Sequence, residues 1–349
     1  MSALARYAFT NAKVRAMLSS LFTKPQLNSL VSAKDIDEFL SVAKASTYES
    51  IFKKLTPPYE PRVIELGLVR DAIEKHNRIL KNLKGPPAEV VFLLLSKYEL
   101  ANLKNLLRIW HTMADGEELN YLYKEKICYD IPISEVLTRK TIEEVILLLD
   151  KTPYKDALMN GRTGFKERGS IFYLEIALDI DYYKRLWNKV AALSPMDRGL
   201  ASRLIGVEVD IKNISWIVRF KQYYKMPLGE LVSYIIPGGY QIAEPLIRKV
   251  YSSEDIRTVI TGLSRKPYQD LTTLVSGAYD KSKMFMLEAM LWQVLLKEAK
   301  SALSKFPFTI ATVLAYLILY TAEARNIVSL LYSKLYQLEP ERISGSLIC

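Results

Sequence analysis

Three times along this chain of 349 residues, a long run that reads as helix meets a short proline-containing break and resumes as a second long run. The first extends from Arg62 to about Leu83, breaks at Gly85-Pro86-Pro87, and resumes as AEVVFLLLSKYELANLKNLLRIWHTM to Met113. The second extends from Phe165 to Leu193, breaks at Ser194-Pro195, and returns to Tyr224. The third extends from Ser282 to Lys305, breaks at Phe306-Pro307, and returns to Leu338. Two long helical runs around a short break predict an αα-hairpin. The last arm, Pro307 to Leu338, begins on a proline suited to a first helical position. Its Ile310, Val313, Leu314, Leu317 and Ile318 fall on one helical stripe, which Ile327, Leu330, Leu331 and Leu335 resume. A helix of that length is a rod of roughly 48 Å. Its charge-free portion, Phe306 to Ala322, is at the lower limit for crossing a bilayer and carries three threonines, so a helix buried within protein is expected.

The arms are alike in detail. A basic residue followed by Asn stands in each returning run, at Lys104-Asn105, Lys212-Asn213 and Arg325-Asn326, and Asn11-Ala12-Lys13 near the start echoes the word. Between the hairpins a second pattern recurs. Ile36, Phe39, Leu40 and Ala43 share a register with Ile142, Val145, Ile146 and Leu149, and with Ile256, Val259, Ile260 and Leu263; Tyr48, Tyr154 and Tyr268 follow at equal distance. A short helix, a turn and a Tyr leading into another short helix account for this. The period near 110 residues exceeds that of a solenoid repeat and implies a triplicated subdomain. The expected organisation is all-α, with subdomains at 1–115 (including an extra N-terminal helix), 116–225 and 226–349, packed as a pseudo-threefold array. As a repeat unit, the Ile/Tyr element followed by its hairpin fits at 31–114, 138–225 and 252–338. A scrap, Pro340-Glu341-Arg342-Ile343, begins another element and stops.

Catalytic chemistry finds little purchase. Neither a phosphate-binding loop nor a dinucleotide fingerprint occurs, and Gly238-Gly239 reads as a turn. His76 and His111 stand alone, without ligands at metal spacing, and read as surface or helix-packing residues. Glu117-Glu118 and Glu143-Glu144 are adjacent and so face different sides of a helix. Cys128 and Cys349 are too few for a disulfide framework and suit a reducing compartment. No catalytic, cofactor-binding or metal-binding residue is expected. The candidate sites are instead polar positions at interfaces or between subdomains: Lys13, Lys104, Asn105, Lys212, Asn213, Arg325 and Asn326. They serve either to fix helix register by hydrogen bonding or to form a ring of three basic residues facing an acidic partner. The recurrent Tyr is read first as a packing residue with its hydroxyl satisfied.

YAFTNAKVRAML at the start, VEVDIKNISWIVR in the middle and PFTIATVLAYLILYTAEARNIVSLLYSKLYQLEPERI at the end resemble the C subunit of archaeal and bacterial A/V-type ATP synthases, equivalent to the d subunit of vacuolar ATPases. The resemblance implies a non-catalytic, funnel-shaped helical protein without a nucleotide site. It would be present once per complex, on the cytoplasmic face of the membrane and peripheral to it. Its implied partners are the proteolipid rotor ring and the central shaft, between which it would pass torque during ion translocation. The net charge of +10 suits acidic loops of the ring or anionic lipid heads. A helical scaffold in another assembly would share the triplication. A nucleic-acid binder would concentrate its Lys and Arg on one helix, whereas here they are dispersed, so no nucleic-acid partner is expected.

Overall fold

The computed structural model describes residues 3–57, 59–113, 118–276, 283–338 and 347–348. Glu117, Ser282, the scrap Pro340 to Ile343 and Cys349 lie outside the described residues. Among those described, every regular element is helical and no strand occurs. In chain order the helices are α1 (Ala3–Leu18), α2 (Lys24–Ser32), α3 (Ile36–Lys44), α4 (Glu49–Phe52), α5 (Pro61–Leu80), α6 (Pro86–Thr112), α7 (Ile133–Thr138), α8 (Ile142–Leu148), α9 (Tyr154–Arg168) and α10 (Phe172–Ala191). They continue as α11 (Pro195–Arg219), α12 (Leu228–Tyr234), α13 (Glu244–Tyr251), α14 (Ile256–Leu263), α15 (Met284–Leu303) and α16 (Ile310–Leu335).

The predicted short helices begin where their caps dictate. Asp35, Thr141 and Asp255 each precede one of the three recurrent isoleucines, and each side chain accepts first-turn backbone N–H groups. Behind the caps, Phe39, Leu40 and Ala43, then Val145, Ile146 and Leu149, then Val259, Ile260 and Leu263 are buried. The second long run is interrupted: Gly169 takes a left-handed conformation at φ 65° and ends α9, so α10 starts afresh at Phe172. The last helix starts at Ile310 rather than Pro307 because Thr309 is extended, and the Ile310 N–H is accepted 2.9 Å away by the buried Asp197 carboxylate at the head of α11. Asp197 also accepts from the Tyr7 hydroxyl at 2.9 Å, tying α1 to the same point.

The chain forms two compact units. One comprises Met1–Ala72, Lys81–Leu83 and Leu193–Cys349; the other comprises Ile73–Leu80 and Lys84–Ala192. In the smaller unit, α10 lies along both α9 and α6. In the larger, α11 and α15 pack together, and α16 packs against both of them and against α1 and α3. Only α15 and α16 therefore form a hairpin of the expected kind within one unit; α10 and α11, the arms of the second, belong to different units. Helix α16 has the length and composition of a membrane span, yet Ile310 to Leu317, Ile327, Leu330 and Leu331 are buried within its own unit.

Candidate functional site

An acid and an asparagine three residues apart lie one above the other on a helix face. The three returning helices each carry such a pair: Glu99 and Asn102 on α6, Asp210 and Asn213 on α11, Glu323 and Asn326 on α16. Each pair builds the same joint.

On α6, Glu99 is buried and accepts three hydrogen bonds, from the Tyr154 hydroxyl at 2.9 Å and from the backbone N–H groups of Cys128 and Tyr129, both at 2.7 Å. One helical turn on, the Asn102 amide clasps the backbone of Tyr123 in both directions, donating to its carbonyl at 2.9 Å and accepting its N–H at 2.8 Å. On α11, the fully buried Asp210 accepts from the Tyr268 hydroxyl at 2.7 Å and from the Gln241 and Ile242 N–H groups at 2.7 and 3.0 Å. Asn213 clasps Ile236, donating at 2.8 Å and accepting at 3.0 Å. On α16, Glu323 accepts from the Tyr48 hydroxyl and the Phe22 N–H, each at 2.6 Å. Asn326 clasps Ile348 at 2.7 and 2.8 Å.

Nine residues beyond each acid a further polar side chain reaches an outgoing helix: Arg108 pairs with Glu175 on α10, Arg219 with Glu288 on α15, and the Tyr332 hydroxyl donates to Glu65 on α5 at 2.8 Å. The partners of α6 and α11 are thus the segments that come next in the chain, rather than the Ile/Tyr elements that precede them. Helix α16, the last, takes Tyr48, Phe22 and Glu65 from the start of the chain.

Electrostatics explain why the phenols stay donors. Burial first, and the neighbouring carboxylate second, push the Tyr48, Tyr154 and Tyr268 hydroxyls far above the ordinary value of 10.0. Burial likewise raises Glu99 and Asp210 above the usual carboxylate range, although their hydrogen bonds pull the other way. Gly238, at φ 85°, and Gly239 carry the backbone to the Asp210 joint; a Cβ on Gly239 would stand 2.2 Å from the Asp210 Oδ1 and 2.8 Å from the Ile242 carbonyl oxygen. Gly239→Ala is therefore expected to destabilise the larger unit by about 2 kcal/mol, as overpacking against a rigid polar group does. A thermal melt matching that of the unsubstituted chain would refute it.

The seven sequence candidates divide. Asn213 and Asn326 are buried clasp residues. Asn105 is not their equivalent: it is half-buried and accepts from the Arg108 guanidinium at 3.2 Å on its own helix, and the position that matches is Asn102. Lys104 instead pairs with Asp179 on α10. Lys212 stands 6.0 Å from the Trp216 ring, and the exposed Arg325 lies 4.4 Å over Trp292. Lys13 is half-buried on α1, and the neighbouring Asn11 Oδ1 has no hydrogen-bond partner among the described residues, so the N-terminal echo makes no clasp. Lys104 thus meets a carboxylate where Lys212 and Arg325 lie near indole rings, while the acids and asparagines have like partners throughout. The joint residues outside those seven, Glu99, Asn102, Asp210, Glu323 and the Glu65, Glu175, Glu288 series, become visible once the repeats are aligned on acid-x-x-Asn rather than on basic-Asn. His76 is buried edge-on against Tyr98 with centroids 5.4 Å apart, His111 packs on Phe165 at 5.3 Å, and no metal-ligating cluster occurs among the described residues.

Fold and joints together define an all-α protein with a long internal repeat, whose recurrent polar side chains bind each returning helix to a segment elsewhere in the chain. The chain belongs to the ATP synthase (C/AC39) subunit family, whose model matches residues 10–345. It is similar to the C subunit of the A-type ATP synthase of Methanocaldococcus jannaschii, at 24% identity over 99% of this chain and 87% of that protein. The corresponding C subunit of Methanosarcina barkeri is 25% identical over 98% of this chain and 92% of its own length. That of Methanothermobacter thermautotrophicus is 24% identical over 94% and 84%.

Proposed function

We propose that this chain is a non-catalytic central-stalk component of a rotary A/V-type ATP synthase, joining the central shaft to the membrane proteolipid ring and transmitting torque between them. It would act once per complex, peripherally on the cytoplasmic face of the membrane, as three similar subdomains arranged about a shared axis. Family membership over nearly the whole chain supports the assignment to the complex. The observation that carries the mechanical role is the set of three joints. A coupling element must not yield under load, and helices already satisfy their own backbone hydrogen bonds. Their weak points are where one helix meets the next segment. Here those points are held by carboxylates with two or three donors each, those of Glu99 and Asp210 buried, and by asparagines that clasp backbone in both directions, interactions that reward a single geometry.

Reconstitution of the complex with and without this chain tests the proposal. ATP hydrolysis is expected to persist in the soluble head when the chain is omitted, while ion pumping into vesicles is lost. Unchanged ATP-driven pumping without the chain would overturn the reading.

A further inference from the structure

Within the larger unit, α15 and the turn between α14 and Tyr268 enclose an open groove of about 980 Å³. Lys297 and Lys300, one turn apart on α15, line one wall; Arg265 and Lys266 line the other. All four are exposed, and among the described residues none of them has a carboxylate within ion-pair distance. Two carboxylates also line the groove. Glu298 is already matched by Arg203, which pairs with both of its oxygens at 2.6 and 2.8 Å and packs over the Tyr240 ring at 4.7 Å. Asp270 is the other. The groove is therefore strongly cationic although Arg203 is committed to Glu298.

Its walls do not depend on a mobile loop. Arg265 and Lys266 lead directly into Tyr268, whose buried hydroxyl is bonded to Asp210, and α15 is packed along both α11 and α16. Four like charges held on two fixed walls repel one another, and a multivalent anion bridging the walls removes that repulsion. We propose that this groove binds a multivalent phosphate group, carried either by a soluble polyphosphate or by a multiply phosphorylated lipid headgroup. The size of the groove falls within the range of small-ligand pockets. Lysines act on phosphate as point charges without demanding a planar fork. An acidic protein segment would be served better by a cationic stripe than by two facing walls. The inference is independent of the torque-transmitting role.

The full chain is titrated with tripolyphosphate by calorimetry at low and moderate ionic strength, alongside Lys297→Gln/Lys300→Gln, Arg265→Gln/Lys266→Gln, and Lys124→Gln/Lys126→Gln, which removes equal charge from exposed positions elsewhere. Both groove variants are expected to weaken binding at least tenfold, and the control less than twofold. Equal weakening in all three, the absence of saturable binding at low salt, or displacement by a glutamate oligomer of equal charge as effective as by tripolyphosphate would each overturn the proposal. Two independent groove variants guard against a folding defect in either. Vesicles bearing a bisphosphorylated inositol lipid distinguish the sources: retention lost in both groove variants identifies the headgroup, and tripolyphosphate binding without retention identifies the soluble anion.

Discussion

Asp210→Ala is expected to weaken the larger unit by about 4 kcal/mol, because it orphans the buried Tyr268 hydroxyl and the N–H groups of Gln241 and Ile242 at once. Two compact units need not unfold together, so the local readout is hydrogen exchange at Gln241 and Ile242. Protection there should fall by about a thousandfold. Tyr268→Phe, which removes one donor, should cost about 1.5 kcal/mol. Equal effects of the two substitutions would show that the carboxylate is not the hub of the joint. The same variant has a pH signature. The folded-state value of Asp210 is raised above its ordinary 3.8, so folding binds a proton there as pH falls. The stability this contributes is fully present below the ordinary value and is lost as pH rises through the raised one. The gap between the unsubstituted chain and Asp210→Ala should therefore widen from neutral pH toward about 4. A narrowing gap would contradict the sign.

The second large effect concerns the clasps. Asn213→Ala is expected to cost about 3 kcal/mol, since the buried N–H and carbonyl of Ile236 both lose their partner. Asn326→Ala should release the backbone of Ile348, which is read as accelerated exchange at that amide. Asn105→Ala, at the position that matches by basic-Asn spacing, should change stability by less than about 0.5 kcal/mol, as a half-buried side chain with one bond on its own helix does. A cost at Asn105 equal to that at Asn213 would restore the basic-Asn alignment of the repeats.

Much of this was legible in advance because it is local. The apolar stripes of the three short helices and the prolines at the heads of α6 and α11 are decided by neighbours within a few residues, and the sequence displays them directly. The shift in the motif was not legible. Basic-Asn is the more conspicuous word, but basic side chains at helix surfaces take whatever partner lies nearby: Asp179 for Lys104, an indole for Arg325. A buried carboxylate has no such latitude, since it must be fully satisfied or it is costly. Hence the quieter acid-x-x-Asn spacing carries the repeat.

Composition and periodicity determined that the chain is helical, that its helices are long, and that one pattern occurs three times. Partnership was decided in three dimensions. That α6 bonds to Tyr154 and α10, α11 to Tyr268 and α15, and α16 to Tyr48 and α5 depends on pairings 55, 58 and 275 residues apart for the three tyrosines. Helical periodicity specifies which face is buried but leaves open what covers it. Only the hydrogen bonding of each acid, including the bond from the Phe22 N–H near the opposite end of the chain to Glu323 of α16, selects the covering segment.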